Sequence, residues 1–214
     1  MAGYDKARSV NGVALRVSRL DENGGISLEP NSVYTQTSFM SFSWTPEYEE
    51  GEEITEKNAD GSICYSAQDP STLKRVTLSL SVCAPDPELE TLLVGGEELV
   101  SGGEIMGYAA PEVGAIYNPN GIAIEAWSRA MQSNGKPATG YPFFHWVFPY
   151  GNFTRTGEGT MENGLMTHEY EGWATGNSEL AASLTDWDFT TASPYQYARS
   201  ATAPTNVNGW GDGS

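Results

Sequence analysis

The sequence predicts a mainly β fold: a β-sandwich or barrel-like domain with one short helix on its flank. Three observations carry this. Apolar and polar residues alternate with period two in several segments, Gly and Pro (24 and 12 residues) punctuate the junctions between them, and only one segment has helical spacing. The length, 214 residues, suits one domain with arms.

Gly12 to Leu20, GVALRVSRL, places Val13, Leu15 and Val17 on one face and reads as a half-buried strand; DENGG then turns the chain. Tyr34 to Trp44, YTQTSFMSFSW, reads as one long strand. Its parity puts Tyr34, Met40, Phe42 and Trp44 on one side and Thr35, Thr37, Ser41 and Ser43 on the other. EEITEKN reads as its returning partner, giving a long hairpin over about 33–57, and NADG as a further turn before a short strand, Ile63 to Ser66. Lys74 to Cys83, KRVTLSLSVC, has the cleanest alternation: Val76, Leu78, Leu80 and Val82 face a core, and Thr77, Ser79 and Ser81 face outward. Asp86 to Val94 is the helix. Asp86 suits the N-cap, Pro87 the first helical position, Glu88 and Glu90 the positive end of the dipole, and Gly95 the stop. Further strands are expected at Glu104 to Val113, Gly121 to Met131, Phe143 to Tyr150 and Gly164 to Trp173, with an edge at Ser183 to Thr190. Residues 1–193 then form the domain, and 194–214, with little apolar periodicity, an arm or tail held only by a partner.

The net charge is -17. Fourteen acids against Lys57, Lys74 and Arg75 lie between Glu47 and Glu104, and the stretch TPEYEEGEEITEKNADG holds six of them: Glu47, Glu49, Glu50, Glu52, Glu53 and Glu56. Such a chain does not grip nucleic acid by its phosphates, which needs clustered Lys and Arg. No apolar run approaches 18 residues, and MAGYDKARSV has no apolar core of a secretory signal. Cys64 and Cys83 are therefore expected as free thiols, with assembly in a reducing cytoplasm. Asn152-Phe-Thr154 matches a glycosylation triplet, which means little without a signal.

No phosphate-binding Gly-Lys-Ser/Thr loop, GxSxG, HExxH or CxxC is present, and GGEELVSGGE lacks dinucleotide spacing. His145 in FFHWVF and His168 in MTHEYEGW read as packed strand residues. A glycosidase pair needs only two carboxylates in a cleft, and abundant Glu makes one easy to imagine without evidence for it. The acidic run lacks the Asp-rich spacing of a calcium loop and reads as a solvated face. Six Trp and eleven Tyr admit a sugar-binding face. Against it, Phe143, Phe144, Trp146, Val147 and Phe148 make a strand apolar on both faces, which belongs between two layers or between two subunits.

GVALRVSRLDENG, EEGEEITEKNADGSIC, LKRVTLSLSVCAPDPELETLLVGG, GIAIEAWSRAM and YPFFHWVFPYGNF, in that order, resemble the major tail protein of long-tailed phages infecting actinobacteria, over about positions 12–175. The resemblance implies a tail-tube subunit of the virion: a β-sandwich forming homohexameric rings, stacked into a tube that conducts double-stranded DNA from capsid to host. It implies no catalytic residue, no metal and no cofactor, no membrane, and contacts with tape-measure, terminator and distal tail proteins. Under it, Thr35, Thr37, Ser41 and Ser43 face a wet lumen, and Phe143, Phe144, Trp146 and Phe148 a subunit interface. The six glutamates line the lumen or meet Arg16, Arg19, Lys74 or Arg75 of the next ring. The alternatives are another tail-associated protein, such as a terminator or minor tail protein, and a carbohydrate-binding β-sandwich.

Overall fold

The computed structural model describes residues 6–116, 118–157, 166–180 and 192–203. Its chain order is β1 (Arg8–Arg19), β2 (Val33–Gln36), β3 (Phe39–Glu49), β4 (Glu53–Lys57), β5 (Ile63–Gln68), β6 (Thr72–Val82), α1 (Pro87–Val94), β7 (Glu97–Ser101), β8 (Glu104–Ala109), β9 (Ile122–Met131), β10 (Phe143–Thr156), β11 (His168–Thr175) and β12 (Gln196–Ser200). The mainly β class with one short helix is what the alternation predicted. The edge expected at Ser183 to Thr190 and the first residues of the expected Gly164 strand lie outside the described residues.

Eight strands form one antiparallel sheet in the order β2-β1-β9-β10-β11-β6-β3, with β12 also on β10. β2 and β3 are its two ends, yet only Thr37 and Ser38 join them. A link from Gln36 to Phe39 spans about 11 Å at full stretch. The sheet is therefore curled until its ends lie side by side, although among the described residues no ladder closes it into a barrel. The Phe39 ring packs across the seam onto Gly12 of β1, where a Cβ would lie 2.5 Å from the ring.

The inside of the curl is the core. Val76, Leu78, Leu80 and Val82 of β6 are fully buried there with Leu15, Val17, Ile124 and Phe148. α1 lies over the same cluster through Leu89, Leu92 and Leu93. Burying each such side chain contributes about 1.5–3 kcal/mol. A smaller cluster, Leu20, Ala123, Val147 and Leu180, covers the other face of β9 and β10. β10 is thus a strand between two layers, and the two-faced apolar run is explained within one chain. Within one chain Phe144 and Phe148 are buried and Trp146 is packed on the core, while Phe143 is half-buried.

Two expectations change. Tyr34 to Trp44 is two strands on opposite ends of the sheet, because the chain crosses the seam at Thr37-Ser38 while parity continues. The segment after Ser193 is not wholly a loose tail: β12 pairs with Phe143–Val147 of β10, and Tyr197 stacks on Trp146 at 4.4 Å.

Asp86 fastens the helix to the sheet. Its carboxylate accepts from the Leu89 amide (3.2 Å) as N-cap, and from the Tyr34 hydroxyl (2.7 Å) and Gln36 amide (2.9 Å) of β2. Asp86→Ala is expected to lower stability by roughly 1–2 kcal/mol, and Asp86→Asn by less, measured by urea unfolding. Burial, and then the Asp86 carboxylate, push the Tyr34 hydroxyl well above its ordinary pKa; burial, and then the Glu90 charge, do the same for Tyr170. Groups raised in the fold stabilise it fully below their unfolded pKa of about 10 and lose that contribution as pH rises beyond it. The unfolding midpoint should therefore fall above about pH 10, and Tyr34→Phe should blunt that fall; an unaltered alkaline limb in the variant would refute the assignment.

Candidate functional site

β3 and β6 pair from Phe39↔Val82 to Glu49↔Thr72, and β4 and β5 continue the same ribbon from Glu53↔Gln68 to Lys57↔Ile63. It is one hairpin, and its tip is Asn58–Ser62. There the Gly61 amide donates to the Asn58 carbonyl (2.9 Å), the Asn58 amide to Ser62 (2.7 Å), and Gly61 takes φ 87°. The Asp60 carboxylate accepts the Ser62 hydroxyl at 2.6 Å. The hairpin expected over about 33–57 is corrected accordingly: EEITEKN continues the outgoing strand and is not its returning partner, because the φ-permissive turn residues come only after it. β11 stops pairing with β6 at Val76, opposite Pro46. From Pro46 to Asn58 the strand runs on for about 40 Å of contour.

Along this projection Glu49, Glu50, Glu52, Glu53 and Glu56 are exposed. Glu47, at its root, is not free: it accepts from Arg75 Nε and Thr77 Oγ1, both at 2.6 Å. The Arg75 bond foremost, and then Thr77, hold its carboxyl below the usual range. The projection also exposes Ile54 (46%), Ile63 (62%) and Tyr65 (55%). Register puts Ile54 opposite Ala67 and Glu56 opposite Tyr65, so one face of the ribbon mixes apolar side chains with carboxylates. At the joint between the two halves the Asp69 amide donates to Glu52 (3.0 Å), and the chains approach so closely that a Cβ on Gly51 would lie 1.9 Å from the Asp69 carbonyl oxygen.

A second feature is the outer face of β3, β6 and β11. Ser41 lies opposite Ser81, Ser43 opposite Ser79 and Thr45 opposite Thr77, while Glu169 and Glu171 of β11 flank Ser81 and Ser79. This is a hydroxyl-lined wall with carboxylates along one side. Sequence reading found Ser41 and Ser43 but grouped them with Thr35 and Thr37. Thr35 sits on β2 opposite Arg16, at the other end of the sheet, and Thr37 in the seam link. Glu169 and Glu171 were missed; their i, i+2 spacing beside His168 is the signal that carried them. Met40, expected inward with Phe42 and Trp44, is 57% exposed, because a register shift between Phe39 and Ser41 turns it out of the alternation.

A third is the β7–β8 hairpin, turned by Gly102 (φ 65°) and Gly103 (φ 89°), with Leu99, Val100 and Met106 at least half exposed. GGEELVSGGE therefore builds a hairpin.

Of the expected basic partners, only Lys74 is exposed and without an ion pair among the described residues. Arg16 is buried against Glu125, Arg19 reaches the Thr91 carbonyl (3.3 Å), and Arg75 holds Glu47. Both histidines meet carboxylates. His145 bonds Glu125 at 2.8 Å and stacks on Trp127, so Arg16, Glu125 and His145 clamp β1, β9 and β10 together. Glu90 of α1 lies 3.1 Å from Arg155 and 3.6 Å from His168, fixing the helix on β10 and β11. Buried carboxylates need such partners. Cys64 near the ribbon tip and Cys83 at its base are both free.

No protein-family model matches the chain, and no curated protein matches it. Among solved structures it is similar to the tube-terminating cap of the anti-feeding prophage, at 9% identity over 87% of this chain and 88% of that chain, with a TM-score of 0.33. It is also similar to the sheath/tube terminator of an extracellular contractile injection system in the extended state, at 12% identity over 75% of this chain and 88% of that one (TM-score 0.30). The sheath–tube complex of the same kind of system, also extended, matches at 12% identity over 75% and 83%, with a TM-score of 0.30.

Gly51→Ala is expected to break the joint of the ribbon while leaving the core intact. Hydrogen exchange at the Asp69 amide and labelling of Cys64 should quicken severalfold, with global stability within about 0.5 kcal/mol of wild type. Unchanged exchange at Asp69 would show that the joint does not depend on Gly51.

Proposed function

We propose that this chain is a structural, tail-associated subunit of a phage-tail-like particle, a tube protein that works by assembling and not by catalysis. The observation that carries the reading is the ribbon: a β-hairpin that leaves its core and exposes Ile54, Ile63 and Tyr65 together with unpaired strand edges. In a lone molecule such edges invite indiscriminate association. In a closed ring each is paired by the neighbouring copy.

In this reading six copies join edge to edge, and the hydroxyl-lined wall of β3, β6 and β11 faces the lumen. Serine and threonine hydroxyls keep that wall wet, and Glu169 and Glu171, with carboxylates of the ribbon, repel the phosphate backbone of passing DNA. At physiological salt the repulsion reaches about 8 Å, enough to prevent adhesion without holding the duplex at the axis. Tape-measure, terminator and distal tail proteins are the further partners, and the virion tail the location. A terminator would use the same surfaces in one ring instead of a stack. The carbohydrate-binding reading is disfavoured by packing: Trp44 lies against Trp146 (4.7 Å), Trp127 against His145 (4.2 Å) and Trp173 against Tyr150 (5.7 Å), so none of these forms an open platform.

Negative-stain microscopy and sedimentation velocity of the purified protein test the reading. Stacked rings are expected of a tube subunit and single rings of a terminator. A folded protein that stays monomeric at high concentration would sink both.

A further inference from the structure

Five of the eleven cations gather at one end of the sheet. Register places Arg8 opposite Met131, Arg129 between Val10 and Phe143, and Arg199 opposite Phe144. Lys136 lies in the turn between β9 and β10, and Lys6 just ahead of β1. The segments that build this end, 6–12, 128–142 and 196–203, contain no Asp or Glu. Lys6, Arg8, Arg129 and Lys136 are exposed, while Arg199 donates to the Tyr141 carbonyl (2.8 Å) and lies over Phe144. Register divides this end between two faces: Arg8, Arg129 and the exposed Val10 (39%) share one, and Arg199 and the exposed Tyr197 (52%) share the other, while Tyr141 (56%) is exposed just ahead of β10. In a chain of net charge -17 this is a local inversion of sign, and on the Arg8–Arg129 face it has the exposed Val10 beside it.

The complementary surface is the distal ribbon. Glu47 to Leu73 holds eight carboxylates against Lys57 alone, interleaved with the exposed Ile54, Ile63 and Tyr65. Among the described residues no ion pair joins the ribbon to the basic end.

We infer that the distal ribbon of one copy docks on the basic end of the next copy, head to tail. The inference rests on the assembly reading above and names its contact. A polyanion such as DNA would use the cations and leave Val10 uncovered; the ribbon brings carboxylates and apolar side chains together. Apolar contact at the centre supplies affinity, and the charged rim sets register and encounter rate. A contact between two different surfaces of identical copies propagates from subunit to subunit.

Two surface variants test it: Arg129→Glu/Lys136→Glu at the basic end, and Glu52→Lys/Glu53→Lys on the ribbon, each checked for native circular dichroism. Each alone should raise the concentration needed for assembly about tenfold or more. Mixed in equal amounts they should co-assemble, because each variant's altered surface then meets an opposite charge on the other. Wild-type assembly with both single variants assembling normally would overturn this contact and leave the assembly reading standing. Failure of the mixture when both singles fail would overturn it too. Binding of a short DNA duplex that the basic-end variant abolishes, with assembly unchanged, would assign that end to a polyanion instead. A wild type that never assembles would remove both readings together.

Discussion

Thr37 and Ser38 join the two ends of an eight-stranded sheet, and the sheet has no choice but to curl. Two residues cannot cross a flat sheet of that width, since strands stand about 4.8 Å apart. Curling brings the apolar sides of β1, β9, β10, β11, β6 and β3 around one interior. Gly12 clears the space in which Phe39 covers the seam, and α1, held by Asp86 to β2, is packed over the same core. Core, helix position and direction of the ribbon all follow from that short link.

The ribbon obeys two sets of rules along its length. As far as Val76, β6 alternates buried and partly buried residues because a core lies on one side. Beyond it the same two strands have solvent on both sides, and every residue of β4 is exposed. An isolated two-stranded hairpin is marginally stable in water, so the distal half draws its order from continuity with β3 and β6 and from the close-packed joint at Gly51. Its apolar side chains contribute little to folding of one copy.

This division explains what could be read from the sequence. α1 was legible to the residue, because Asp86, Pro87 and Gly95 each answer a local backbone requirement. β6 was legible because a buried face enforces period two. The break at Thr37-Ser38 was not, since alternation runs through it with parity intact, and Met40 was misplaced by a bulge that parity does not record. The ribbon tip was visible only as turn chemistry in Asn58–Gly61; without a core nothing distinguishes β4 from a loop. Arg16 and Glu125 stand 109 positions apart, and no local pattern announces that each neutralises the other. The candidate surfaces were half legible for the same reason. Composition located the acidic run, but only the fold brings together cations from three distant segments.

Net charge and charge pattern then act at different distances. A chain of -17 repels its copies as a whole, which favours solubility and opposes assembly. That repulsion is screened beyond about 8 Å at physiological salt, so it weakens encounter more than it weakens a formed contact. At contact distance the pattern governs, and it is sharply divided: carboxylates on the projecting ribbon, cations at the acid-free end of the sheet. Two ribbons side by side place like charges together, whereas a ribbon against the basic end does not. The same glutamates that keep free copies apart therefore disfavour ribbon against ribbon relative to ribbon against the basic end.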